Sequence, residues 1–349
     1  MRATAVLCLR DEGAFLLDWL AHHRAVGFTD FVICTNDCSD GTDAMCDRLA
    51  DLGGVTHIRN DGPYDKGGIQ FTGLKLASKE KAVRQADWLL PLDIDEFVNI
   101  HAGDHRLEDL IAALPDATAI TLTWRLFGNG GEIPYRDAPV PEVFTRAAPV
   151  RMYWPWRSAM FKTLYRNDKT YRQLGVHRPR NPKPEKLDGA RWFDGAGREL
   201  DAQFRERRIF SNYGRDNYTL AQLNHYPLGA MESYVLKAAR GRAVHSDHML
   251  GLDYWVERNF NSDEDRSILA LSDAVAVERA ALAGDPVLAD LHDRAVAWRH
   301  RRFAELMEEE PYRALFGRLL MTPPSIPLPR QSAQKLVAHA LRAKARSED

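Results

Sequence analysis

No apolar run in this chain reaches the roughly 18 residues that a membrane-spanning helix needs, so no such helix is expected. Residues 4–9 are apolar, but the run is short and Arg10-Asp11-Glu12 follows at once, with no small-residue cleavage pattern. The run reads as a first core strand, and the cytoplasm is the expected compartment. An excess of one charge is also missing: 47 basic against 49 acidic residues leave a net charge of −2. General nucleic-acid binders are usually basic, so nucleic acid is not an expected partner. Cysteine is scarce. Cys8 and Cys34 fall in apolar runs, where cysteine acts as a small hydrophobe. Cys34, Cys38 and Cys46 lack the paired spacing of a zinc site. All four are expected to be reduced and structural. Internal repeats are absent.

What is present is ordinary for a globular protein: 349 residues, 45% hydrophobic and 28% charged. That length holds one large α/β domain with additions, or two domains. The first hundred residues alternate strand and helix patterns. Strands are expected at 4–9, 30–35, 55–59 and 88–92, with helices at 14–26, 42–52 and 70–85. This order predicts an α/β fold, a mostly parallel sheet with helices on both faces, in which ligands bind at the carboxyl ends of the strands. A helix at 107–114 and a strand at 117–126 follow. Residues 128–217 are rich in Gly, Pro, Arg and aromatics, as binding loops often are. Within them, 159–165 and 171–176 read as short strands. A strand at 220–226 and a helix at 231–240 come next. Beyond about 254 the chain reads as helical. It ends in a proline-rich linker at 323–329 and a short basic amphipathic helix at 332–346.

The chemistry centres on Asp93-Ile94-Asp95-Glu96, at the end of an almost wholly apolar run. If strand geometry continues, Asp93 and Asp95 point to the same side. Two such carboxylates repel unless a cation stands between them. Hard divalent ions such as Mg²⁺ or Mn²⁺ suit them, and a bound ion could neutralise a diphosphate leaving group. A solvated acidic turn is the plain alternative. A second polar turn, Asn36-Asp37-Cys38-Ser39-Asp40-Gly41-Thr42, has side chains for a nucleobase or ribose, and also the composition of an ordinary turn and helix cap.

The order of these motifs resembles the GT-A glycosyltransferases of the family 2 type, and is closest to the branch that shares an Asp-x-Asp-Glu-Phe sequence with family 92. Residues 6–12 (VLCLRDE) look like that family's first strand, with Asp11 where Asn is usual. Residues 15–27 (FLLDWLAHHRAVG), 35–42 (TNDCSDGT) and 88–97 (WLLPLDIDEF) resemble its helix, its nucleotide turn and its metal-binding strand end. Asn224-His225-Tyr226 with Ser233 and Lys237 resembles a later signature. The resemblance covers about residues 1–245. It implies a GT-A (Rossmann-like) domain over 1–250, with a nucleotide-sugar-binding half at 1–126 and an acceptor half at 127–250. A helical extension at 251–322 and a linker and basic tail at 323–349 would follow. It also implies a nucleotide-diphosphate sugar donor, a glycan or lipid-linked acceptor, and Mn²⁺ or Mg²⁺ as cofactor.

Carried over residue by residue, Asn36 would hold the base, and Asp93 the ribose, the metal or both. Asp95 and His225 would hold the metal. Arg10, Glu12, Asp37, Lys66 and Lys237 would complete the donor site, with Arg240 as a further phosphate donor. Trp154 and Trp156 are candidates for stacking on an acceptor sugar, whereas Trp124 is expected in the core. An inverting enzyme needs a base, and Glu132, Glu142, Asp216 and His177 are the candidates. The tail, with Lys335, Arg342, Lys344 and Arg346, could touch an anionic membrane at its inner face or stay solvated. Two rival readings remain: a haloacid-dehalogenase-like phosphatase with Asp93 as nucleophile, and an inactive glycan-binding scaffold.

Overall fold

The computed structural model describes residues 1–64, 67–212, 214–241 and 250–348. It is an α/β structure built on one mixed sheet of nine strands, mostly parallel, with a helical C-terminal region. The strands are β1 (Ala3–Leu9), β2 (Asp30–Thr35), β3 (Val55–Arg59), β4 (Trp88–Leu92), β5 (Glu96–Ile100), β6 (Ala119–Leu126), β7 (Phe161–Arg166), β8 (Trp192–Asp194) and β9 (Ala221–His225). Their order is β3-β2-β1-β4-β7-β6-β9-β5, with β8 pairing alongside β6. The first four strands run parallel, as their alternation with helices predicts. β7 enters between β4 and β6 antiparallel to both. β5 closes the far edge antiparallel to β9.

The flanking helices of the first half are α1 (Gly13–Val26), α2 (Thr42–Leu52), α3 (Ile69–Ala77), α4 (Lys81–Arg84) and α5 (Leu107–Ala113). The helix expected over 70–85 is thus broken, with its two pieces separated at residues 78–80. The second half adds α6 (Met231–Arg240), α7 (Ser272–Ala283), α8 (Pro286–Met307), α9 (Glu310–Met321) and α10 (Arg330–Glu348). β5 was not anticipated. Its residues follow the Asp93–Asp95 turn directly, and Glu96 at its start is as buried as Phe97 and Val98.

α1 shows why the C-terminal helices matter. Its sequence suggests one apolar stripe, yet nearly all of it is buried. The sheet covers one side, and Leu282, Leu288 and Ala295 of α7 and α8 join the same core on the other. The approach is close at Gly13, where an added Cβ would stand 3.0 Å from Ala295 Cβ. A second cluster joins Tyr234 and Val235 of α6 to Leu306, Leu315 and Leu319 of α8 and α9. The four cysteines are free, as expected. No described helix is long and apolar enough to cross a membrane.

α1 also anchors β5. Trp19 Nε1 donates to Glu96 O at 2.9 Å, and His22 Nε2 lies 2.8 Å from Val98 O. Burial pushes His22 down to about 4. A histidine held neutral in this way stabilises the fold above its ordinary value and loses that contribution as pH falls from about 6.5 towards 4. Between pH 6.5 and 5 the loss is about 2 kcal/mol, at 1.36 kcal/mol per unit. The urea midpoint should therefore fall over this range, and should fall less in His22→Asn. Equal falls in the two proteins would disprove the assignment.

Candidate functional site

β4 delivers its carboxyl end to a turn. Glu96 N donates to Asp93 O at 3.0 Å, so strand geometry stops at Asp93 and resumes at Glu96. Asp93 and Asp95 therefore do not continue an extended strand, and each meets a different cation. Asp93 Oδ2 accepts from Lys162 Nζ at 2.8 Å and Asp93 Oδ1 from Gln70 Nε2 at 3.1 Å. Asp95 Oδ2 accepts from Lys237 Nζ at 2.7 Å. The repulsion expected between the two aspartates is thus answered by two lysines.

Lys162 has no precedent in the sequence reading. It sits on β7 with its side chain 1% exposed, and its ammonium also lies 3.3 Å from Glu96 Oε2. Glu96 is fully buried. Its Oε1 accepts from Trp124 Nε1 at 2.6 Å and its Oε2 from Asp93 N at 2.8 Å. Burial pushes the Glu96 carboxyl up to about 8, opposed by Lys162 and reinforced by Asp93 and Asp95. Burial alone would lower Lys162, but Asp93 and Glu96 hold it above its usual value, so the lysine keeps its charge. Glu96, Lys162 and Trp124 thus form a buried polar brace beneath the turn. Trp124 belongs to the core, as expected.

β9 brings the third element. Its antiparallel pairing sets His225 opposite Glu96, and Tyr226 N donates to Asp95 O at 2.8 Å. His225 Nε2 consequently stands 3.7 Å from Asp95 Oδ1, with its ring 4.2 Å from that of Trp124. His225 Nδ1 is buried without a hydrogen-bond partner among the described residues. Burial lowers the His225 value. Burial would raise Asp95, yet Lys237 and His225 hold it well below the usual carboxylate range. Among the described residues, no three His, Cys, Asp or Glu side chains group into a ready metal cage.

Asp95 opens onto a cavity of about 420 Å³ at the carboxyl ends of β1 and β4. Arg10, Glu12, Lys237 and Arg240 line it, as do Ser233 and Tyr226 of the later signature. Glu12 is paired with Arg240. The C-terminal helix α8 supplies Trp298, Arg299 and Arg302, which sequence reasoning did not connect to the site. Phe15, Tyr135 and Phe144 are among its apolar lining.

The other expected site residues lie elsewhere. Asn36 is buried, and its Nδ2 donates to Asp37 Oδ2 at 3.1 Å. That same oxygen accepts from Tyr64 Oη at 3.0 Å, and these two bonds hold Asp37 below its ordinary range. In the same turn Asp40 accepts from Gly13 N and Thr42 N, and Asp11 accepts from Ser39 N, so these side chains tie β1 to β2. Lys66 lies outside the described residues.

None of the four candidate bases lines the cavity. Glu132 pairs with Arg136, Glu142 is exposed beside α7, and Asp216 accepts from Tyr218 N in a turn. His177 is nearer the centre: its ring is 5.7 Å from Trp124, and burial and Lys162 push it down to about 4. Trp156 is 42% exposed and packs on Phe210, away from the cavity. Lys344 and Arg346 lie where side chains are not described.

No protein-family model matches this chain, and no curated protein sequence matches it. A solved structure of S. aureus TarS 1–349 in complex with UDP aligns with 88% of this chain and 92% of its own, at 13% identity and a TM-score of 0.34. A likeness that low defines neither a shared fold nor a shared site.

Proposed function

We propose that this protein is a GT-A-type glycosyltransferase that moves a sugar from a nucleotide-diphosphate donor, a UDP-sugar by family resemblance, to a hydroxyl of a glycan or lipid-linked acceptor. The observation that carries the reading is the position of Asp95. It sits at the carboxyl end of a central parallel strand, between Lys237 and His225, and lines a cavity together with Arg10 and Arg240. Ligands of open α/β sheets bind at such strand ends. A diphosphate suits several fixed cations in a partly buried cleft, where they act through charge-assisted hydrogen bonds.

The donor set fits a divalent ion held by Asp95 Oδ1 and His225 Nε2. Their 3.7 Å separation is somewhat wider than the ~3 Å edge given by metal–ligand bonds of about 2.1 Å. Two protein ligands suffice where substrate phosphate and water complete the shell, as is usual for Mg²⁺. Such an ion would stabilise charge building on the leaving diphosphate. Asp93 is held by Lys162 and Gln70 and would face the ribose. Lys237 orients Asp95, and with Arg240 would hold the phosphates.

The test is incubation of the full chain with a panel of nucleotide sugars and Mn²⁺, following release of nucleoside diphosphate. Slow hydrolysis that EDTA abolishes is the expected result. Hydrolysis unchanged by EDTA would remove the metal. Phosphate release from p-nitrophenyl phosphate, with no nucleotide-sugar turnover, would replace the reading with the phosphatase. Neither turnover nor binding would leave the scaffold.

A further inference from the structure

The cavity has a second basic end. Arg299, on α8, is 5% exposed and lines it. Its guanidinium lies 4.4 Å from the ring centre of Phe15 and 4.7 Å from that of Tyr135. The two rings meet edge to face at 5.7 Å. Arg299 Nε is buried and has no hydrogen-bond partner among the described residues. Glu12 and Asp40, the carboxylates that act on its charge, are bonded elsewhere: Glu12 to Arg240, and Asp40 to Gly13 N and Thr42. Arg302, which also lines the cavity, is paired with Glu305.

A guanidinium stays charged in a protein. Burying one without a counter-ion is costly, and two aromatic faces offset only part of that cost. Burial accordingly lowers the Arg299 value. Arg299 follows Ala295 by one turn on α8, where Ala295 meets α1 at Gly13, whereas Asp95 is held by Lys237 of α6 and His225 of β9.

We infer that Arg299 is a second anion subsite: the ligand filling this cavity carries, besides a diphosphate near Asp95, a separate carboxylate or phosphate that pairs with Arg299 between Phe15 and Tyr135. This rests on the nucleotide-sugar reading. The extra anion belongs either to the donor sugar or to the acceptor, and calorimetry on the full chain at low salt separates the two. One pair of probes is UDP-glucuronate against UDP-glucose. The other is glucuronate or glucose 6-phosphate against glucose, with UDP saturating.

In one pair the anionic probe is expected to bind at least about tenfold tighter than its neutral partner, as a charge-assisted pair gives. Arg299→Met should erase that preference while leaving UDP affinity within about twofold, and Arg299→Lys should restore part of it. No preference in either pair, or a preference that survives Arg299→Met, overturns the subsite. Should Arg299→Met fail to fold, equal affinities in the unaltered protein still decide against it. If the unaltered protein binds no UDP, the nucleotide-sugar reading fails, and the second pair without UDP still reads Arg299.

Discussion

Asp95→Ala is expected to lower nucleotide-sugar turnover by at least about a hundredfold, the scale seen when one preorganised charge-stabilising group is removed. That factor corresponds to about 2.7 kcal/mol of transition-state stabilisation. Three things go at once: the charged acceptor of Lys237, which keeps only Pro227 O, the carboxylate facing His225, and one of the two proposed metal ligands. The backbone tie from Tyr226 N to Asp95 O does not depend on the side chain, so the turn should keep its shape. Asp95→Asn retains an acceptor for Lys237 but loses the charge. If the charge matters, Asn should be nearly as poor as Ala in turnover. Full activity in Asp95→Asn, measured with Mn²⁺ present and with an unchanged melting temperature, would show that Asp95 only positions Lys237.

At pH 9, where the Glu96 carboxyl is ionised, Lys162→Met should cost about 3–5 kcal/mol of stability, because it leaves a buried charge without its counter-ion. The variant leaves Glu96 fully buried with Trp124 Nε1 and Asp93 N as its remaining donors, and frees Asp93 to a single bond from Gln70. The loss has a pH dependence of definite sign. Glu96 is pushed up to about 8 in the fold against an ordinary 4.5, so its contribution is complete below 4.5 and is lost as pH rises through 8. Lys162 opposes that rise, so without it the fall in stability between pH 5 and 9 should steepen. Adding Glu96→Gln removes the stranded charge and should recover much of the loss. Urea unfolding of the two single variants and the double variant measures this as a cycle. A loss below about 1 kcal/mol for Lys162→Met at pH 9, an amount typical of exposed pairs, would mean that Lys162 is not the counter-ion of this brace.

Much of the first half of the molecule is legible from local pattern. The strands at 30–35, 55–59 and 88–92 and the helices at 42–52 and 231–240 appear at the expected residues. Each is long enough for its periodicity to outweigh its surroundings. The helix expected over 70–85 is broken at Ser78-Lys79-Glu80, which contain no Gly or Pro to mark the break in the sequence. β5 is hidden in the sequence because Asp93–Glu96 has the composition of a polar turn, while Glu96 in fact starts a wholly buried strand.

Local pattern also marks the strand end that carries Asp93 and Asp95, whereas His225, Ser233 and Lys237 come only from the family resemblance. A polar cluster after an apolar strand is a feature of neighbouring residues, and such features survive in one dimension. The partners of that cluster do not. Lys162 reaches Asp93 across 69 residues because β7 inserts antiparallel between β4 and β6. A lysine inside the apolar run 159–165 was the available signal, but its partner depends on the sheet order. Lys237 reaches Asp95 across 142 residues, and Arg299 reaches the cavity because α8 packs over α1. Strand identity and the location of the acidic turn follow from side-chain periodicity along the chain. Which charges meet there, and which remain without a partner, follows from strand register and helix packing between segments far apart in sequence.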